Sequence, residues 1–222
     1  MPGCVLAIEG LGKSFISGGQ NVPVLAGLSL AVNEGESLAV MGRSGSGKST
    51  LLNLLCGLET PDTGRITIVG ESFDHHGKSG PDDRWGELRR RSIGVVFQEA
   101  NLMPALSLLE NVRLRAYLAD QPAGGERQWL ERLGVGAEAD RYPDQVSGGQ
   151  AQRAALAMVF AMAPALILAD EPTGSLDRHT ADEVADCLFA MQRDNGCALV
   201  LATHDAELAG RCDHLLDLTQ PG

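Results

Sequence analysis

The chain has 222 residues, 44% apolar and 21% charged, enough for one large domain, or a core carrying an inserted subdomain. Its formal net charge of −11 argues against a nucleic-acid-binding surface, because duplex affinity comes largely from Lys and Arg neutralising phosphates. The five cysteines, at 4, 56, 187, 197 and 212, form no C-x-x-C pair and suggest neither a disulfide framework nor a zinc site.

The elements follow in order. Cys4–Glu9 and Leu28–Val32 read as short strands, the second with Leu28, Leu30 and Val32 on one face. Ser37–Met41 is a short strand feeding a Gly-rich loop. Ser49–Cys56 is helical and stops at Gly57. A turn at Thr60–Gly64 leads into a strand at Arg65–Val69. Residues 70–91 are polar and predicted irregular; His75-His76 lies there without other ligand candidates at matching spacing. Ile93–Phe97 is a compact buried strand. Ser107-Leu-Leu-Glu110 is a capping box that starts a helix running to about Leu118. Glu126–Leu133 is a helix ended by Gly134. Ser147-Gly-Gly-Gln150 has capping-box spacing and opens a helix over Gln150–Met162. Leu166–Ala169 is a buried strand. Thr180-Ala-Asp-Glu183 reads as a third capping box, for a helix ending near Asn195-Gly196. Ala198–Thr203 is a strand, and a short helix and a strand at Leu215–Leu218 close the chain.

Strands alternating with helices imply an α/β fold with a mainly parallel sheet covered on both faces. The helical stretch 99–162 interrupts the alternation and reads as an inserted subdomain in a core formed by 1–98 and 163–222. The first residues lack a signal-peptide pattern. The longest apolar stretch, Ala154–Ala169, has sixteen residues and contains Pro164, short of a membrane span. The expected location is the cytoplasm, with any membrane association made through a partner.

Gly42-Arg43-Ser44-Gly45-Ser46-Gly47-Lys48-Ser49-Thr50 matches G-x-x-x-x-G-K-[ST] in full, between a strand and a helix. Such a loop wraps phosphate oxygens with backbone N–H groups, at a helix N-terminus carrying partial positive charge. Lys48 reaches the β- and γ-phosphates of ATP, and Ser49 supplies a hydroxyl to Mg²⁺. Leu166–Asp170-Glu171 is an apolar run ending in two acids. Asp170 suits the Mg²⁺ shell and Glu171 a general base acting on water. Gln98, at the end of a strand, can reach Mg²⁺ or that water. His204, after Ala198–Thr203, is placed to bond the γ-phosphate. Ser147-Gly148-Gly149-Gln150 is a second phosphate-facing helix start. One chain already holds its ATP at 42–50, so this second surface suggests a site completed by another copy.

These motifs, in this order, resemble the nucleotide-binding subunit of ATP-binding cassette (ABC) transporters over nearly the whole chain. The resemblance implies a P-loop NTPase (RecA-like) core, an N-terminal antiparallel β subdomain and an inserted helical subdomain. It implies a head-to-tail dimer sandwiching two ATP molecules, with Ser147, Gly148, Gly149 and Gln150 acting on the partner's ATP. Asp177 would sit at the dimer seam, and Phe15 would stack on adenine. The stretches Gln98–Val112 and Asp170–Asp177 look like the lipoprotein-releasing and macrolide-efflux group. That implies an integral permease partner and a peripheral position on the cytoplasmic face of the inner membrane. Val146, Ala151, Met158 and Ser175 depart from commoner residues of the family; none removes a catalytic group. A P-loop kinase would not explain Ser147–Gln150. A DNA-repair cassette would carry zinc modules or coiled coils, whereas only 98 residues separate Lys48 from Ser147. A cassette regulating a cell-envelope process through a membrane partner is the alternative to transport.

Overall fold

The structure is a computed structural model that describes residues 3–74 and 83–218. Two sheets make the frame. The strands β1 (Cys4–Ser17), β2 (Gln20–Asn33), β4 (Thr63–Ile68) and β5 (Glu71–Asp74) form an antiparallel sheet in the order β2-β1-β4-β5. The strands β3 (Ser37–Met41), β6 (Ile93–Val96), β7 (Leu166–Asp170), β8 (Ala198–Thr203) and β9 (His214–Asp217) form a parallel sheet in the order β6-β7-β8-β3-β9.

The parallel strands alternate between two cores. Ile167, Ala169, Leu199 and Leu201 face one core, with α5 (Gly148–Phe160) and α6 (Arg178–Asn195). Leu166, Leu168, Val200, Ala202, Leu38 and Val40 face the other, with α1 (Lys48–Leu55) and the antiparallel sheet. Both faces are apolar, so these strands read in sequence as continuous apolar runs rather than alternating ones. The helices α3 (Leu108–Leu118), α4 (Glu126–Arg132) and α5 lie between β6 and β7 in the chain, with two 3₁₀ turns at Gly136–Glu138 and Pro143–Gln145. The capping boxes of Ser107 with Glu110 and of Ser147 with Gln150 are both formed.

Several expectations are corrected. The first two strands are fourteen residues each, not short; they continue past the core as a hairpin that turns at Gly18–Gly19. The extension carries exposed residues such as Ile16 and Val22 and so shows no burial rhythm. Residues 70–91 are not all irregular: β5 occupies Glu71–Asp74 and a helix, α2, occupies Asp83–Arg91. That helix buries only Leu88, while Trp85 stacks on Phe73 at 3.9 Å, too few apolar positions to show a period. His75-His76 lies outside the described residues. The helix α5 begins at Gly148, two residues early. Asp177, not Thr180, caps α6: its carboxylate accepts from the Thr180 N–H at 3.2 Å and from Thr180 Oγ1 at 2.7 Å. Asp at the N-cap outcompetes a box that would start a turn later. Glu183 instead pairs with Arg153 at 3.1 Å. The last strand is His214–Asp217, one residue earlier than expected, preceded by α7 (Ala206–Ala209). No helix of the described residues is long and apolar enough to cross a membrane.

One polar pair ties the start of β3 to the segment before β9. Asp213 accepts from the Ser37 N–H at 2.8 Å and from Ser37 Oγ at 2.7 Å, and its own N–H donates to Ser37 Oγ at 3.0 Å. The Ser37 hydroxyl, then its N–H, hold the Asp213 carboxyl below the usual carboxylate range. A folded-state value below the unfolded one gives stability that is present above the unfolded value and lost as pH falls through the folded one. Thermal unfolding of the wild type followed downward from pH 5 is therefore expected to lose stability more steeply than that of Asp213→Asn.

Candidate functional site

The loop Gly42–Gly47 joins the carboxyl end of β3 to the N-terminus of α1. Lys48 is the first residue of α1, and its Nζ donates to the Gly42 carbonyl at 2.9 Å and stands 3.7 Å from Glu171 Oε1. Ser49 Oγ donates to Asp170 Oδ2 at 2.9 Å. Gln98 follows β6, Asp170 ends β7, and His204 follows β8. The carboxyl ends of four neighbouring strands thus supply the site, at the edge where open parallel sheets bind ligands.

These groups line one cleft of about 870 Å³. It gathers Phe15, the loop residues Arg43, Ser44, Gly45 and Gly47, then Lys48, Ser49, Thr50, Gln98, Asp170, Glu171 and His204. Gly42 and Ser46 belong to the loop but are not among the residues lining the cleft; an added side chain on Gly42 would meet Ser46 Oγ at 2.1 Å. Val24, Phe97, Glu99 and Gly174 also line the cleft and were not singled out in the sequence. Val24 leaves no local signal, being one apolar residue in a hairpin. Gly174 lies within the Asp170–Asp177 stretch and was visible there.

Glu171 has φ +46, in the left-handed region. For a side-chain-bearing residue this costs roughly 1–2 kcal/mol. Its N–H still donates to the Ala202 carbonyl at 2.9 Å, so the backbone is held while the chain turns out of the sheet. The carboxylate then points back into the cleft, between Lys48 and His204 Nδ1, which is 2.9 Å from Oε1 and 3.0 Å from Oε2. Lys48 and Glu171 keep only 10% and 18% of their side-chain surface exposed. At that separation and an effective dielectric of 20 their gross attraction is roughly 4 kcal/mol, much of it offset by desolvation.

The cleft suits a polyphosphate. Ser46 Oγ is buried with no hydrogen-bond partner among the described residues, an orphan polar atom inside the loop. Gly47 has φ +102, and a Cβ there would lie 2.7 Å from Val24 Cγ1, so only glycine lets the loop close against β2. The Ser49 hydroxyl, an Asp170 carboxylate oxygen and the Gln98 amide are oxygen donors of the kind that hard divalent cations take.

Ser147–Gln150 is elsewhere: none of its residues lines this cleft. Ser147 is exposed and caps α5, Gln150 Oε1 accepts from the Ser147 N–H at 2.9 Å, and Gln150 Nε2 donates to Glu138 at 3.1 Å. Asp177 is likewise outside it, and the Thr180 hydroxyl, followed by its N–H, holds the Asp177 carboxyl below the usual range.

The family model of the ABC transporter matches residues 25–174, a span that includes the loop, Gln98, Ser147–Gln150 and the Asp170–Glu171 pair. The chain belongs to the ABC transporter ATP-binding family. It is 41% identical over 218 residues to the uncharacterized ABC transporter ATP-binding protein YbbA of Escherichia coli (strain K12), covering 96% of this chain and 94% of that one. It is 44% identical over 219 residues to the lipoprotein-releasing system ATP-binding protein LolD of Anaeromyxobacter dehalogenans, covering 95% of this chain and 89% of that one. The fold superposes with a TM-score of 0.82 on the ATP-binding cassette MJ0796, a dimer in a post-hydrolysis state bound to ADP and Pi, at 33% identity over 96% of this chain and 93% of that chain. The ABC chain described here is an ATPase with the P-loop α/β fold expected of it.

Two glycine substitutions separate backbone strain from crowding in the loop. Gly47→Ala is expected to abolish the stabilisation by ATP in thermal unfolding and to lower the midpoint itself. Gly45→Ala, where φ is +80 but an added Cβ meets nothing within 4 Å, is expected to lower the midpoint less.

Proposed function

We propose that this ABC ATPase powers a separate membrane permease, that two copies enclose two ATP molecules, and that the work done is lipoprotein release or efflux. The observation that carries this is the division of the phosphate-binding parts. Most of the loop Gly42–Thr50, with Gln98, Asp170, Glu171 and His204, lines one cleft, while the Ser147 helix start opens to solvent outside it. A second copy placed head to tail would bring its Ser147–Gln150 over this cleft. The dimeric MJ0796 cassette supports a two-copy arrangement, and the lipoprotein-releasing LolD relatives support the kind of work proposed.

In this reading the loop N–H groups and Lys48 bind the triphosphate, and Phe15, 38% exposed at the rim, stacks on adenine. Ser49, Asp170 and Gln98 would hold Mg²⁺, which would supply positive charge to offset that of the phosphates. Glu171 takes a proton from the attacking water. His204, bonded to Glu171 through Nδ1, orients that carboxylate and presents its ring to the γ-phosphate. Lys48 exchanges its contact with Glu171 for the more negative phosphate. Ser147 and the α5 N-terminus stabilise the partner's γ-phosphate. Asp177 sits at the seam.

Residues 99–162 act as the inserted helical subdomain that meets the permease. A hollow of about 330 Å³, lined in part by Leu58, Phe97, Asn101 and Met158, shares Phe97 and Asp170 with the nucleotide cleft. A permease segment seated there would sense that cleft directly. The chain would then work on the cytoplasmic face of the inner membrane, held by its partner.

Glu171→Gln is expected to bind ATP, to lose turnover by about 10²–10⁴-fold, and to accumulate as a dimer in ATP on size-exclusion chromatography. Unchanged turnover would remove Glu171 from the role of base. Ser147→Ala is expected to leave ATP affinity of the monomer intact while reducing turnover and its cooperativity in ATP, measured by phosphate release across a protein dilution series.

A further inference from the structure

Gln98 is the residue through which the two phosphate-binding parts meet. Its side chain packs over Gly174, where an added Cβ would lie 3.3 Å from Gln98 Nε2. Its backbone is held from two sides. The carbonyl of Phe97 accepts from Gln152 Nε2 at 2.8 Å. The carbonyl of Gln98 accepts from Ser175 Oγ at 3.0 Å.

The two donors come from the parts that lie outside the nucleotide cleft. Gln152 stands one turn into α5, five residues after Ser147, and only 2% of it is exposed. Among so many apolar neighbours a buried amide is retained only when its hydrogen bonds are made. Ser175 stands four residues after Glu171 and two before Asp177, the cap of α6. The N-termini of α5 and α6 touch as well: an added Cβ on Gly149 would lie 2.2 Å from Thr180 Cγ2. The Phe97–Gln98 backbone, α5 and the segment after β7 therefore form one connected body whose hydrogen bonds tolerate shifts of a few tenths of an ångström.

We infer that Gln152 and Ser175 clamp the Phe97–Gln98 backbone so that occupancy of the chain's own phosphate cradle is transmitted to the Ser147 helix start. Gln152 is a positioning residue that acts through Gln98. Coupling of this kind is reciprocal, so engagement of the Ser147 helix tightens the chain's own site by the same factor. The inference rests on the two-copy reading only for what Ser147 faces; the clamp lies within one chain.

The test replaces Gln152 with Met, which keeps length and volume and removes the donor, and Ser175 with Ala, on an exposed residue away from the core. Hydrogen–deuterium exchange of residues 147–153 is followed in the full chain with and without ATP and Mg²⁺, at concentrations where sedimentation shows monomer. The wild type is expected to show slower exchange with ATP. Q152M is expected to lose that response while its ATP dissociation constant stays within about twofold, and S175A to reduce it. No response in the wild type, or the full response in Q152M, overturns the clamp. Where Q152M fails to fold, a full response in S175A overturns it and a reduced one supports it. In the Glu171→Gln background, Q152M is expected to weaken ATP-driven dimerisation about tenfold, or about 1.4 kcal/mol. Failure of Glu171→Gln alone to dimerise with ATP overturns the two-copy reading, and the exchange result then decides the clamp by itself.

Discussion

Complete burial of β7, β8 and the middle of β3 on both faces governs the molecule. Every side chain of β7 before Asp170 is inaccessible, and so is all of β8. A slip of one residue in either strand would exchange its two faces and push large side chains into space shaped for small ones. The register is therefore rigid, and polar chemistry can begin only where the strands emerge. Val96 pairs with Ala169, Asp170 with Ala202, and Met41 with Thr203, so the four strands end nearly level. The phosphate loop, Gln98, the acidic pair and His204 are gathered by that single edge, though 162 positions separate Gly42 from His204.

The electrostatics of the edge are local and oppose the whole. A chain of net charge −11 sets Lys48 and Arg43 against Glu99, Asp170 and Glu171 in one cleft. Asp170 and Glu171 are useful there because each is committed. Asp170 accepts from Ser49, and Glu171 is held by Lys48 and His204. Among the described residues, Glu171 is also one of four other than glycine with positive φ. Strain at this position is sustained by the ladder bond to Ala202 and by the buried strands behind it.

The same local chemistry serves two ends. Ser107 and Ser147 both make capping boxes with an acceptor three residues on. Ser107 is buried, with Asn111 tying the preceding loop to the helix, and its cap is structural. Ser147 is exposed, and its helix start opens to solvent. Hydrogen bonding within four residues cannot distinguish the two; the packing around them does.

Legibility followed the range of the interaction that carries each feature. The loop Gly42–Thr50, the caps at Ser107 and Ser147 and the apolar strands are determined within a few residues, by glycine freedom, capping and burial, and each is readable in the chain. The family's order of motifs extended that reading to Phe15 and Asp177. The helix Asp83–Arg91 is hidden because its stability comes from partners such as Phe73 and Cys56 rather than from its own pattern, and the long hairpin because its extension is exposed and carries no burial rhythm. Thr180 lost the cap of α6 to Asp177 because two candidates stood within reach and geometry chose. Only the tertiary structure decided that Gln98 is held by Gln152 and Ser175 and that Val24 closes the loop. Contacts across 23 to 77 residues leave no mark in local sequence; they exist only once the buried sheet has set the register of everything attached to it.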